Sequence, residues 1–163
     1  MSRNRISVSA EPDAVFDVLE DPYAYPRWVV GARRVRGVDA AWPALGSRFF
    51  HALGTVAGEL HDSSMVLEWN RPVRVSLEVR FRPTGVAKVE IDIAAEGSGS
   101  IVTIVESPIR GPISRLPRFI TDPALALRNA LSLQRLRHEI ERRTSLGEES
   151  PSMTIQSSPD GAG

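Results

Sequence analysis

The sequence predicts an α+β fold in which an antiparallel sheet of about six to seven strands wraps around one long C-terminal helix. Three observations support this prediction. Two short helical segments follow directly after a first strand, about six segments of alternating polarity come next, and a single long helix with an apolar face follows them. A sheet with one dry face must pack against another layer, and that helix is the only element long enough to provide it.

The first strand and the two short helices occupy the first 31 residues. Residues 5–9 alternate as a short strand does. In residues 10–19, proline and acidic residues stand where a helix begins, and the apolar stripe that follows consists of Val15, Phe16, Val18 and Leu19. Residues 23–28 predict a second short helical turn that ends near Gly31. The order of one strand followed by two short helices is unusual and therefore informative.

From Gly31 onward the pattern changes to period two, with turn residues at intervals of about ten. The clearest strand has Val75, Leu77, Val79 and Phe81 on one face and polar side chains on the other. The strands are predicted at residues 33–38, 47–53, 59–69, 75–81, 89–93 and 101–107. One face of this meander is expected to be wet and the other dry.

A long helix is predicted over residues 122–143, with Asp122 as its N-cap and Pro123 at its first position. Its apolar face consists of Leu125, Leu133, Leu136 and Ile140, with Ala126 and Ala130 beside them. Leu127 and Leu131 widen the apolar arc, so the first half of the helix is expected to be covered on more than one side. Residues 1–144 are predicted to form one domain. Residues 145–163 are rich in Ser, Gly and Pro and are predicted to be disordered.

Composition excludes several classes of function. The 163 residues are 42% hydrophobic and 25% charged, with a formal net charge of zero and no cysteine. Disulfides, thiolate nucleophiles and sulfur-ligated metals are therefore excluded. The zero net charge argues against a nucleic-acid partner. No apolar run suits a bilayer span or a secretory signal, so we expect a cytoplasmic protein without stable membrane insertion.

The chain contains the segments SVSAEPDAVFDVLEDPYAYPRW, GSRF, SSMVLEWNRPVRVSLEVR and GSGSIVTIVES, and a proline-broken run before the last helix. In these features it resembles the SRPBCC superfamily, also called START-like or helix-grip proteins. More narrowly, it resembles the bacterial branch described as polyketide cyclase/dehydrase and lipid transport. The resemblance covers roughly residues 4–144 and implies a helix-grip fold with an apolar cavity. Such proteins bind lipids, sterols, polyketides, plant hormones or quinones, and share no catalytic motif that could be transferred.

The cavity should be large. One helix about 10 Å across cannot fill a sheet of six or seven strands, which spans roughly 25–30 Å. We therefore expect a cavity of a few hundred Å³, a size typical of ligand sites. Its predicted lining is mostly apolar, with a few polar groups: Trp28, Phe50, His51, Trp69, Leu77, Val79, Phe81, Ile91, Ile104, Glu106, Asn129, Ala130 and Leu133.

His51 is a candidate for acid or base chemistry, but its direction is open. In SRFFHAL, either Phe50 and Ala52 face inward, or Phe49, His51 and Leu53 do. In the second case the imidazole could donate a proton or a hydrogen bond to a ligand. Of the two we favour the outward placement. The three histidines show no metal-ligand spacing, so neither a metal nor another cofactor is expected.

Glu106 and Asn129 are the other polar candidates. Glu106 has the parity of Val102 and Ile104, so its carboxyl could contact a ligand, although an ion pair with an arginine such as Arg110 is the favoured alternative. Asn129 falls within the apolar arc of the long helix, where its amide needs a hydrogen-bond partner. A satisfied core amide is the favoured interpretation for Asn129.

These observations leave three functions open. The first is a binder or carrier of a small hydrophobic molecule, such as a lipid-, polyketide- or isoprenoid-like ligand. The second is a cyclase or dehydratase that uses His51 and Glu106 in the same cavity. The third is a partner-binding module that acts through its surface rim. A dry cavity favours the first, a titratable pair within reach of one substrate atom favours the second, and a filled interior favours the third. The oligomeric state is left open.

Overall fold

A computed structural model describes residues 1–55, 58–83, 85–115 and 118–148, and within them the predicted helix-grip architecture is confirmed. Seven antiparallel strands form one sheet in the order β1-β7-β6-β5-β4-β3-β2. The strands are β1 Ser2–Val8, β2 Ala32–Val38, β3 Arg48–Thr55, β4 Gly58–Asn70, β5 Arg74–Phe81, β6 Gly85–Glu96 and β7 Gly99–Arg110. The helices are α1 Pro12–Glu20, α2 Tyr25–Trp28 and α3 Arg118–Glu148, with 3-10 turns at Pro22–Ala24 and Pro112–Arg115.

The alternation in the central strands places one row of apolar side chains on the concave face. Val75 of β5 lies opposite Ile91 of β6, which in turn lies opposite Ile104 of β7. All three side chains are buried. Because side chains alternate between faces along a strand, this register keeps the charged positions of β5 and β6 on the convex face, whereas Glu106 of β7 lies on the concave face with Ile104.

Helix α3 is longer at both ends than the sequence predicts. It begins at Arg118, so Asp122 lies inside the helix and its carboxylate accepts a hydrogen bond from the amino terminus of Met1 at 2.7 Å. Asp122 is therefore not the N-cap, and Pro123 is the sixth helical residue instead of the first. A proline this close to the helix start forfeits only one backbone hydrogen bond, which the longer helix tolerates. The helix continues to Glu148, and residues 149–163 of the predicted tail lie outside the described residues.

The apolar face of α3 packs against β1, α1 and α2, and it buries Leu133, Leu136 and Ile140 almost completely. The expectation that a second layer covers the first half of the helix is wrong for Leu127 and Leu131. These two side chains are 65% and 42% exposed. They lie one helical turn apart, on a side of α3 that the sheet does not cover.

An ion-pair network holds α3 to the segment after α1. The buried carboxylate of Glu139 accepts hydrogen bonds from Arg27 at 2.9 Å and from Arg142 and Arg143 at 2.8 and 2.9 Å. Arg143 also donates to Asp21 at 2.6 Å. Burial raises the pKa of Glu139, but the three arginine hydrogen bonds together outweigh it and lower this pKa to about 2. The carboxylate is therefore ionised at neutral pH and joins α2 to α3, and Arg143 extends the network to Asp21.

An aromatic cluster fills one end of the concave face. Trp42 lies 5.1 Å from Phe49 and 5.5 Å from Trp69, measured between ring centroids. Tyr25 lies 4.8 Å from Phe49, and Phe16 lies 5.8 Å from Trp69. Edge-to-face contacts of this kind bury a large area in little space. The short helices and the loop after β2 thus occupy much of the volume between the sheet and α3.

Candidate functional site

Strand β3 turns His51 inward, so the favoured outward placement is wrong. Phe49 is 2% exposed and His51 is completely buried, whereas Phe50 is 37% exposed. Phe50 was predicted to line the cavity, and this prediction is wrong because its side chain points outward. Phe49 packs in the aromatic cluster with Tyr25 and Trp42, and His51, two residues further along the strand, necessarily shares its face.

An interior cavity of about 30 Å³ lies between the central strands and α3. A second cavity of about 20 Å³ lies beside it, toward the aromatic cluster. The two share the side chains of Tyr25, Trp28, Leu77 and Ile91 as a common wall. Each has room for one or two water molecules. The expected cavity of a few hundred Å³ is therefore wrong for this conformation, because the aromatic cluster and the short helices fill the space that the sheet leaves around α3.

The sequence prediction identified much of the wall of the larger cavity. Eight predicted residues border it: Trp28, Leu77, Val79, Phe81, Ile91, Ile104, Glu106 and Asn129. Trp69 borders the second cavity instead. His51, Ala130 and Leu133 border neither of these two cavities, since His51 lies behind Tyr25 and Leu133 is packed core.

Five further residues that sequence reasoning missed complete the wall: Tyr25, Val29, Val89, Arg128 and Ser132. A signal for two of them was present. Arg128 and Ser132 stand three and seven residues after Leu125, on the same helical face. They were not predicted to line the cavity because polar residues on a helix normally face solvent.

An ion pair between a buried carboxylate and a partly exposed guanidinium forms one corner of the cavity. Arg128 of α3 donates to Glu106 of β7 at 3.2 Å, with a second contact at 3.5 Å, and the Glu106 side chain is 2% exposed. The expected arginine partner exists, but it is Arg128. Arg110 instead pairs with Glu78 at 2.7 Å. The Arg128 guanidinium also lies over the ring of Phe81, 5.1 Å from its centroid, so this corner combines a neutralised charge pair with a cation–π contact.

Behind this corner lies a chain of three buried hydroxyl and imidazole groups. The Tyr25 hydroxyl is hydrogen-bonded to the side chain of Ser64. The Ser64 hydroxyl lies 3.2 Å from Nε2 of His51. Burial, and secondarily the charge of Arg128, lower the pKa of His51 to about 4. Burial raises the pKa of Tyr25 to about 12. Both groups are therefore neutral at physiological pH.

The side-chain amide of Asn129 is hydrogen-bonded within the protein. Its Nδ2 donates to the hydroxyl of Ser2 on β1 at 2.9 Å, and both residues are buried. Ser132, one turn further along α3, accepts a hydrogen bond from the backbone N–H of Val30 at 3.1 Å. These two polar residues border the cavity, but their hydrogen bonds chiefly tie α3 to β1 and to the chain after α2.

Within the ranges that the structure describes, no three His, Asp or Glu side chains converge as a metal site would require. In the same ranges, no helix combines the length and the apolar character needed to span a bilayer.

Solved structures share this fold at low sequence identity. Protein CV1439 from Chromobacterium violaceum is 22% identical, with a TM-score of 0.65 over 85% of this chain and 96% of its own. Protein NE0264 from Nitrosomonas europaea is 17% identical, with a TM-score of 0.69 over 88% of this chain and 95% of its own. DynU16, from the dynemicin biosynthetic locus, is 16% identical, with a TM-score of 0.63 over 86% of this chain and 46% of its own.

A comparison with curated protein sequences finds no match. By contrast, the sequence model of the family described as polyketide cyclase / dehydrase and lipid transport matches residues 2–141. The match spans both the sheet and most of α3, and the solved structures agree with it in fold. This protein therefore belongs to the polyketide cyclase / dehydrase and lipid transport family.

Proposed function

We propose that this protein binds one small, mostly apolar molecule between its sheet and α3, and carries or senses that molecule without transforming it. The observation that carries the proposal is the chemical asymmetry of the larger cavity. Apolar side chains such as Leu77, Val79 and Ile104 form most of its wall, and polar groups gather at one corner around Glu106 and Arg128. Ligand sites typically combine a broad apolar surface with a few polar groups that orient the ligand.

A cavity of about 30 Å³ must widen before it accepts such a molecule. The Phe81 side chain is the part of the wall that we expect to move. It is only partly buried at the edge of the core, and its movement away from the Arg128 guanidinium leaves the ion pair between Arg128 and Glu106 in place. A partly exposed cation–π contact contributes on the order of 0.5–1 kcal/mol, which a ligand that fills the opened space can offset by apolar burial.

The pKa values of the buried groups support binding over catalysis. A general acid or base works best when its pKa lies near the operating pH. The pKa of His51 is about 4 and that of Tyr25 about 12, far from 7 on either side. His51 also does not border the larger cavity, and Glu106 is held by Arg128. The cyclase or dehydratase alternative therefore lacks a poised acid–base pair.

The small volume of the cavity is the observation that favours the third alternative, a surface-binding module. Titration with the neutral fluorescent probe N-phenyl-1-naphthylamine separates the two. Saturable binding of one probe per chain is expected if the interior is the site. Val89, partly buried in the cavity wall, is the position at which to obstruct that site.

Val89→Trp should abolish probe binding because the indole occupies the space that the probe needs. Since the closed cavity measures only about 30 Å³, the larger ring should also lower the melting temperature by several degrees, and the far-UV circular dichroism spectrum checks that the fold is kept. Val73→Trp is the matched control, since Val73 is 52% exposed in the turn between β4 and β5. This control should bind the probe as wild type does. If wild type shows no saturable binding, or if both variants bind the probe as wild type does, the function would be assigned to the surface instead.

A further inference from the structure

We propose that the hydroxyl of Tyr25 is the hydrogen-bond donor that selects the ligand, and that Ser64 and His51 are positioning residues that direct its proton into the cavity. This inference rests on the function proposed above and narrows it. The ligand class it implies is an apolar molecule with a neutral carbonyl oxygen, such as an aryl ketone. A pure hydrocarbon of the same shape would bind less well.

The three side chains come from three separate elements of the fold. Tyr25 begins α2, His51 lies in β3 and Ser64 lies in β4. The rings of Tyr25 and His51 lie 5.2 Å apart at a tilt of 33°. Tyr25 borders both cavities, whereas His51 and Ser64 border neither. Of these three hydrogen-bonded residues, Tyr25 is therefore the one that a ligand in either cavity can contact.

The direction of this chain follows from the unpaired nitrogen of His51. Its Nδ1 is buried and has no hydrogen-bond partner among the described residues. A neutral imidazole carries its proton on one nitrogen. A buried N–H without an acceptor is rarer in proteins than a buried acceptor without a donor. The proton is therefore assigned to Nε2, the nitrogen that lies 3.2 Å from the Ser64 hydroxyl.

The positions of the Ser64 and Tyr25 hydroxyl protons follow from this assignment. Nε2 of His51 donates to Ser64, and the Ser64 hydroxyl, which thereby accepts, donates its own proton to the Tyr25 oxygen. The phenolic proton of Tyr25 consequently has no acceptor among these three groups. Because this side chain borders the larger cavity, a ligand oxygen there is the partner that the geometry offers.

The surrounding charges favour a neutral acceptor. The charged groups that act on Tyr25 are Arg128, Glu106 and Asp62. Glu106 is paired with Arg128, and Asp62 accepts a hydrogen bond from the backbone of Arg82 at 3.0 Å. No excess positive charge therefore remains at this corner to hold an anion. A carbonyl oxygen accepts the phenolic proton without introducing a buried charge.

Acetophenone and ethylbenzene provide a matched pair of probes, because they differ only in the carbonyl group. Both are measured by displacement of N-phenyl-1-naphthylamine from the full-length protein. The ratio of their dissociation constants in wild type is compared with that in Tyr25→Phe. Loss of a hydrogen bond with a net contribution of about 1 kcal/mol should reduce the preference for acetophenone about fivefold.

Two further measurements separate a positioning role from a merely structural one. Ser64→Ala should weaken the preference for acetophenone while leaving ethylbenzene affinity unchanged, and Ser64→Thr, which keeps the hydroxyl, should restore it. The carbonyl stretching frequency of bound acetophenone should be lower in wild type than in Tyr25→Phe. This vibrational shift, together with the Ser64 variants, keeps the inference testable even if Tyr25→Phe folds poorly.

The outcomes distinguish the two proposals. If N-phenyl-1-naphthylamine does not bind saturably, or binds to Val89→Trp as it binds to wild type, interior binding itself fails, and this inference fails with it. If the probe binds in the interior but acetophenone displaces it no better than ethylbenzene does, only the role of Tyr25 is refuted. If both bind with a ratio that Tyr25→Phe and Ser64→Ala leave unchanged, the interior remains the site and the role of Tyr25 is refuted.

Discussion

Acidification should destabilise this protein through a single buried histidine. Burial is the main reason that the pKa of His51 falls from 6.5 to about 4 in the folded state, and the charge of Arg128 adds to it. In the unfolded chain the imidazole titrates near its ordinary value. Below pH 6.5 the His51 imidazole therefore binds a proton in the unfolded state but stays neutral in the folded state. Stability contributed by neutral His51 is complete above that pH and is lost as pH falls toward about 4.

The size of this loss follows from the linkage relation. Each pH unit inside the window lowers the free energy of unfolding by about 1.4 kcal/mol, so the change from pH 6.5 to 5.0 amounts to roughly 2 kcal/mol. Glu139 titrates mainly below this range, since its pKa is lowered to about 2. Burial raises the pKa of Asp62, which acts in the opposite direction. A variant that keeps Asp62 and removes His51 is therefore needed to isolate the histidine.

Urea unfolding at pH 7.0 and 5.0 provides the assay, with His51→Gln as the test variant and His138→Gln as its control. His138 is exposed on α3, so its replacement leaves the hydrogen bonds among Tyr25, Ser64 and His51 intact. Wild type and His138→Gln should each lose about 2 kcal/mol more than His51→Gln over this interval. An NMR titration in which the His51 resonance moves near pH 6.5 in the folded protein, or an equal loss in all three proteins, would refute the reasoning.

Three further predictions concern stability. Leu133→Asp should unfold the domain at room temperature, since Leu133 is 1% exposed and the new carboxylate would have no partner; a variant with the wild-type circular dichroism melt would contradict this. Glu139→Gln should lower the free energy of unfolding by about 2–4 kcal/mol, because Arg27, Arg142 and Arg143 lose the negative charge of their shared acceptor; denaturant titration measures it, and a change below 0.5 kcal/mol would count against the network. Truncation after Glu148 should leave the melting temperature within about two degrees of wild type if the tail buries little apolar area, and a larger drop would show that the tail packs on the domain.

Local periodicity determined most of the fold and much of the cavity wall. The alternation of Val75, Leu77 and Val79 assigned their faces correctly, because the pleat of a strand leaves no other arrangement. The helical spacing of Leu133, Leu136 and Ile140 identified the buried face of α3 for the same kind of reason. Residues whose faces follow from their neighbours in sequence could be placed without any knowledge of tertiary contacts.

Periodicity could not determine the face of His51. Strand β3 offers a phenylalanine on either face, Phe49 or Phe50, so its apolar pattern is nearly symmetric. The choice depends on which ring finds the better partners. Phe49 meets Tyr25 and Trp42, which arrive from the short helix and from the loop after β2. Only the tertiary structure brings these rings together, and His51 follows Phe49 inward.

The partners of charged groups and the volume of the cavity were likewise decided by the tertiary structure. Glu106 pairs with Arg128, 22 residues away on α3, although Arg110 is closer in sequence. Long side chains choose partners by spatial proximity, which sequence separation does not measure. The cavity is small because aromatic side chains from segments distant in sequence pack together between the sheet and α3. Sequence periodicity determines which face of an element is dry, but how fully that dry space is filled depends on how all the elements pack together.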